Sequence, residues 1–144
     1  MIYLLDTDHV SLIQRRNSQV LKRLQQVDRT QVAISIITVE EQLRGWLNVI
    51  RQQSKGPPEK LTWAYSNLDK SIAFFQTYQR LSFDVTAGQY FQEFRQQRVR
   101  VGTQDLRIAC IALVHNLIVV TRNQKDFQQI PGIRLEDWSS QVSL

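Results

Sequence analysis

Ile2-Tyr3-Leu4-Leu5-Asp6-Thr7-Asp8 is the stretch on which the fold turns. Ile2 to Leu5 is a short apolar run, as a buried strand requires, and it stops at a carboxylate. A helix is expected from about Asp8, which can cap it. Further out, Val20, Leu21, Leu24 and Val27 repeat at helical spacing, and Val32 to Ile36 is apolar and rich in β-branched residues, a second strand. From Thr38 the pattern is helical, with Val39, Leu43, Trp46, Leu47 and Ile50 on one face. Ser54-Lys55-Gly56-Pro57-Pro58 is a loop, followed by a helix carrying Leu61, Tyr65, Leu68, Ile72 and Phe75. Leu81 to Phe83 reads as a short strand, and Asp84 caps a helix running from about Thr86 to Arg98. Gly102 breaks the chain, and Thr103 is expected to cap a helix whose body, Ile108 to Val114, is apolar on every side and so buried. Leu117 to Val120 is the next strand, and Ile133 to Leu135 a last short one.

Strands alternating with helices specify right-handed β-α-β units. The expected fold is α/β: one domain over residues 1–144, with a mostly parallel central sheet of four to five strands flanked by helices. The length of 144 residues suits one domain that buries a core without cross-links. The single cysteine, Cys110, has no partner for a disulfide and reads as core. No basic region precedes the first apolar run, and no run approaches the roughly 20 apolar residues of a membrane span. The expectation is a soluble, cytoplasmic protein that binds no membrane. The formal charge of +5 leans toward a polyanionic partner such as nucleic acid.

A parallel sheet puts ligands at the carboxyl ends of its strands. Asp6 follows the first strand, Glu41 lies one turn into the helix after the second, Asp105 opens the buried helix, and Asn123 and Asp126 follow the strand ending at Val120. Four separate segments thus bring acids or amides to one sheet edge. Gathered carboxylates repel, and a hard cation resolves the conflict; oxygen donors select Mg²⁺ or Mn²⁺. No His/Cys spacing suggests zinc and no Gly-rich phosphate loop is present. Each acid has a plainer use. Asp6 or Asp8 can cap a helix, and of the two Asp8 is the expected cap. Asp105 can favour the positive end of its helix. Glu40 can pair with Arg44 at i,i+4, whereas Glu41 has Gly45 one turn below it and open space beside its carboxylate, which favours Glu41 as the ligand. Asp28, Asp69, Glu59 and Glu93 read as solvated charge. His9 and His115 lack a nucleophile to serve, and Trp46, Trp63 and Trp138 read as packing or interface residues.

Leu4-Leu5-Asp6-Thr7-Asp8 resembles the opening motif of PIN domains. Ile34-Ser35-Ile36-Ile37-Thr38 with Glu41 and Gly45 resembles their second motif. Gly102-Thr103-Gln104-Asp105-Leu106-Arg107-Ile108-Ala109 resembles the third, and Val119-Val120-Thr121-Arg122-Asn123-Gln124-Lys125-Asp126-Phe127 with Ile130-Pro131-Gly132 the fourth. The four come in family order and span nearly the whole chain, which is similar in length to VapC-type toxins of bacterial toxin–antitoxin pairs. The resemblance implies a Mg²⁺- or Mn²⁺-dependent endoribonuclease. It carries the first three family acids onto Asp6, Glu41 and Asp105 as metal ligands. The fourth often stands where this chain has Asn123, so Asp126 is a candidate to supply that charge. Thr121 and Thr7 are candidates to position water or phosphate, and Arg107, Arg122 and Lys125 to hold RNA phosphates. The resemblance also implies a homodimer blocked by a cognate antitoxin protein. Two other readings compete: a PIN-fold RNA-binding or interaction module without catalysis, and a receiver-type phosphoacceptor domain.

Overall fold

The computed structural model describes residues 1–140. Five strands, β1 (Tyr3–Leu5), β2 (Val32–Ser35), β3 (Gln79–Leu81), β4 (Ile118–Val120) and β5 (Arg134–Glu136), form one sheet in the order β3-β2-β1-β4-β5. Every neighbouring pair is parallel. Seven helices connect and cover them: α1 (Thr7–Gln14), α2 (Ser18–Gln26), α3 (Ile36–Gln53), α4 (Pro58–Phe75), α5 (Val85–Gln96), α6 (Thr103–His115) and the short α7 (Gln124–Phe127). The strand order sets aside the receiver-type alternative, whose sheet runs 2-1-3-4-5. No described helix is long and apolar enough to cross a membrane.

The sheet is buried on both faces, and the alternation of strand side chains sorts its residues between two cores. Leu4, Ala33 and Val119 face α5 and α6, whose Phe94, Leu106, Ile108, Ala109 and Ile111 fill that side. Leu5, Ile34 and Val120 face the other side, with Val10, Ile13, Val20 and Leu24 from α1 and α2, Phe75 from α4, and Trp138 from beyond β5. Cys110 is fully buried, and burial pushes its thiol up to about 12. It is a core residue with no thiolate to offer.

Several boundaries differ from the sequence reading because a polar side chain captures the turn earlier than the apolar pattern suggests. Asp6, not Asp8, caps α1: its carboxylate accepts the His9 backbone N–H at 2.8 Å. Ser35 caps α3 by accepting the Thr38 N–H at 3.2 Å, so the helix starts at Ile36 directly off β2. Thr103 is the first residue of α6; Gly102 holds the cap position and makes no side-chain cap bond. The third strand lies at Gln79–Leu81 rather than Leu81–Phe83, since Phe83 leaves the sheet to meet Phe91 edge-on. Leu47 does not join the apolar face of α3 and stays 57% exposed. Asp84 caps α5 as expected.

Ser35 is fully buried at the strand–helix junction that carries Glu41. Ser35→Ala is expected to destabilise the protein by about 1 kcal/mol, the ordinary cost of a lost N-cap. Urea unfolding checks this: the midpoint should fall with no change in slope.

Candidate functional site

β1 sits at the point where the strand order reverses, with β2 on one side and β4 on the other. The crevice beyond the carboxyl ends of β1 and β4 is where such a sheet accepts a ligand. A cleft there is lined by Asp6, Thr7, Asp8, Ser11, Glu41, Asp105, Arg122 and Asn123. Four separated chain segments therefore converge, as the strand–helix alternation predicts.

Asp6 leaves β1 directly into the cleft and is 4% exposed. Its Oδ1 takes the His9 backbone N–H and the His9 ring Nδ1, at 2.8 and 3.2 Å. No buried side-chain polar atom among the described residues lacks a hydrogen bond. Oδ2 has no such bond, so it is the oxygen that opens to the cleft. Glu41 reaches the same space from the second turn of α3. The Thr7 hydroxyl donates to Glu41 Oε1 at 2.6 Å and lies 3.0 Å from the Thr38 hydroxyl. Glu40 points elsewhere, to Arg44 and to Gln104. The adjacent glutamates thus separate as their i+4 neighbours suggest.

Asp105 enters from the first turn of α6 and is partly buried. Burial pushes its carboxyl above the usual carboxylate range; the Asn123 side chain opposes this, while the charges of Asp6, Glu41 and Asp126 add to it. Asn123 sits between two acids, its Nδ2 donating to Asp105 Oδ2 at 3.2 Å and to Asp126 Oδ2 at 3.1 Å. A carboxylate accepts only, so the amide must present its NH₂ to both. At this position an amide bridges two acids that a carboxylate would repel.

The other candidates separate. Arg122 is at the cleft, held bidentately by Asp8 at 2.6 and 2.8 Å. Asp126 stands behind Asn123 and does not line the cleft. Thr121 is fully buried, its hydroxyl accepting the Asn123 backbone N–H at 2.9 Å. It shapes the turn and has no face on the cleft. Arg107 turns away toward α5, over the Phe91 ring at 5.2 Å, and donates to Gln104. Lys125 is exposed on α7 and outside the cleft lining. Sequence reasoning passed over Asp8 as a cleft residue, although it lies two residues beyond Asp6, and His9, which carried no local signal.

Among the described residues, the tightest set of three potential ligands is Asp6, Asp8 and His9, with donor atoms within 4.8 Å of one another. His9 is unsuited to serve as a ligand there. Its Nδ1 is bonded to Asp6 and its Nε2 accepts the Trp138 backbone N–H at 3.2 Å, so neither nitrogen has a free lone pair. Asp6, Glu41 and Asp105 share the cleft without forming so tight a group.

No protein-family model matches the chain. It is similar to a tRNA(fMet)-specific endonuclease VapC of Salmonella typhimurium, with 29% identity over 140 residues covering 94% of this chain and 97% of that protein. Ribonuclease VapC2 of Rickettsia felis is 29% identical over 144 residues, covering 96% and 98%. Among solved structures, a DNA-bound VapBC complex from Salmonella typhimurium superposes with a TM-score of 0.72 at 26% identity, covering 96% of this chain and 98% of that one. VapBC2 from Rickettsia felis bound to a promoter DNA fragment gives 0.70 at 28% identity, covering 96% and 99%.

Proposed function

We propose that this chain, similar along its length to VapC ribonucleases, is a PIN-domain protein of VapC type and a divalent-metal-dependent endoribonuclease, the toxin of a type II toxin–antitoxin pair. The observation that carries this reading is the convergence of Asp6, Glu41 and Asp105 on one cleft at the switch point of the sheet. Its cation would be Mg²⁺ or Mn²⁺, its substrate RNA, and its working compartment the cytoplasm. A cognate antitoxin is the expected protein partner and a homodimer the expected assembly. The relatives' own solved complexes are VapBC assemblies.

The donor set fits such an ion. The cleft acids are all oxygen donors, burial and then the charges of the neighbouring acids push the Asp105 carboxyl above the usual range, and Arg122, the cation of the cleft lining, is already matched by Asp8. When bound, the ion supplies a lowered pKa for water and shields charge on the phosphodiester. Asp6 offers Oδ2, since Oδ1 is engaged by His9. Glu41 is aimed by the Thr7 hydroxyl. Asn123 restrains Asp105 by its amide. Arg122 stands at the rim, 51% exposed, where it can meet a phosphate of the substrate if Asp8 shares it.

Incubating the protein with total RNA and with isolated transfer RNAs tests this. Cleavage should require Mg²⁺ or Mn²⁺ and stop with a chelator. Glu41→Gln should lower the rate by at least about tenfold, and Glu40→Gln should leave it near the parent's. Persistent cleavage under chelation would sink the metal-dependent reading. No cleavage of any RNA under any cation would favour the non-catalytic module that Asn123, an amide in an acid's place, permits.

A further inference from the structure

His9 is the one fully buried histidine, and nothing in the proposed chemistry uses it. It belongs to α1, yet its ring ties the cleft to the end of the described chain. Nε2 lies 3.2 Å from the Trp138 backbone nitrogen, which can only donate. The ring is therefore neutral at Nε2, and its proton sits on Nδ1, pointing to Asp6 Oδ1 at 3.2 Å. Asp137 Oδ1 is 3.6 Å from Nε2, beyond a hydrogen bond, and already accepts the Ser139 N–H and hydroxyl. Trp138 is itself fixed: it is 3% exposed, meets Tyr3 of β1 edge-on at 5.2 Å, and donates its indole N–H to Glu136 Oε1 at 3.0 Å.

From this geometry we infer that His9 is a positioning residue for Asp6, holding Oδ1 so that Oδ2 faces the cleft, with the segment after β5 as its anchor. Two donors from one residue, the backbone N–H and the ring, grip the same oxygen. The backbone bond restrains the terminal torsion of the carboxylate from one direction; the ring bond adds a second direction and narrows the range of that torsion. A histidine whose far nitrogen is occupied can hold only one tautomer, so the donor toward Asp6 is always present. Partners of this kind, one step behind a metal ligand, set ligand orientation and change metal affinity by about 10–100-fold when lost.

The inference rests on the proposed metal role of Asp6, and its test separates the two. His9→Asn keeps an amide donor near the place of Nδ1; His9→Gln moves the amide to the place of Nε2. Both remove the ring, so both share its packing cost. Titration calorimetry with Mn²⁺ and single-turnover RNA cleavage are run on the parent and both variants, with folding checked by thermal melting. His9→Gln should bind Mn²⁺ about 10–100-fold more weakly, and His9→Asn should recover most of that loss. Equal affinity in all three, or equal loss in both variants, overturns the positioning role. A second readout needs no variant: the ¹⁵N ring spectrum of the parent should show the neutral Nδ1–H tautomer. An Nε2–H tautomer overturns the inference even if both variants fail to fold. A parent that binds no Mn²⁺ and cuts no RNA, yet shows the Nδ1–H tautomer, leaves His9 holding Asp6 and removes the nuclease reading instead.

Discussion

Asp6→Asn is expected to bring RNA cleavage down to background while the fold stands. The carboxamide oxygen can still accept the His9 N–H, so the cap on α1 survives. The other arm changes from an anionic oxygen open to the cleft into an NH₂ group, which has no lone pair for a cation. Losing one ligand of a site that stabilises transition-state charge removes several kcal/mol, on the order of a thousandfold in rate. Asp6→Ala should be as inactive and also less stable by about 1 kcal/mol, because it loses the cap. Comparing the two by cleavage rate and melting temperature separates the roles that one side chain combines. An Asn variant that melts like the parent and still cuts at the parent's rate would take Asp6 out of the chemistry.

That double role is also where the sequence was hardest to read. An apolar run stopping at Asp6 announces a strand end, and the apolar periodicities announce the helices, so element order and the parallel sheet were legible. Which of Asp6 and Asp8 caps α1 was not, because capping is decided by one backbone torsion at the junction: Asp6 is extended, with ψ at 171°, and Asp8 is already helical. The partners of Asp8 and His9 lie 114 and 129 positions away, at Arg122 and Trp138. Pairings of that range leave no periodic trace. Arg107 shows the same limit: a cation beside Asp105 looks poised for phosphate, and only the packing of α5 against α6 reveals that it lies over Phe91. Glu40 and Glu41 were separable because their deciding neighbours, Arg44 and Gly45, sit one turn away on the same helix.

Asp105 yields the second large effect, in stability against pH and cation. Its carboxyl is pushed up first by burial and then, against the Asn123 hydrogen bond, by the charges of Asp6, Glu41 and Asp126. A carboxyl raised in the folded state binds its proton more tightly there than in the unfolded chain. Its contribution is therefore fully present below the ordinary carboxylate value of about 4 and is lost as pH rises through the raised folded value. Metal-free protein should accordingly lose the Asp105 contribution on going from acid to neutral pH. A divalent ion offsets that loss by binding the folded state alone: at a hundred times its dissociation constant it adds about 2.7 kcal/mol, on the order of 10 °C in melting temperature for a chain of this size. Asp105→Asn should move both quantities in opposite directions. It should melt higher than the parent at pH 8 in chelator, because the self-repulsion is gone and the amide oxygen can still accept from Asn123. It should also lose most of the gain on adding Mg²⁺ or Mn²⁺. A variant less stable than the parent in chelator at pH 8, with an undiminished response to the cation, would mean that Asp105 neither suffers its neighbours' charge nor shares in holding the ion.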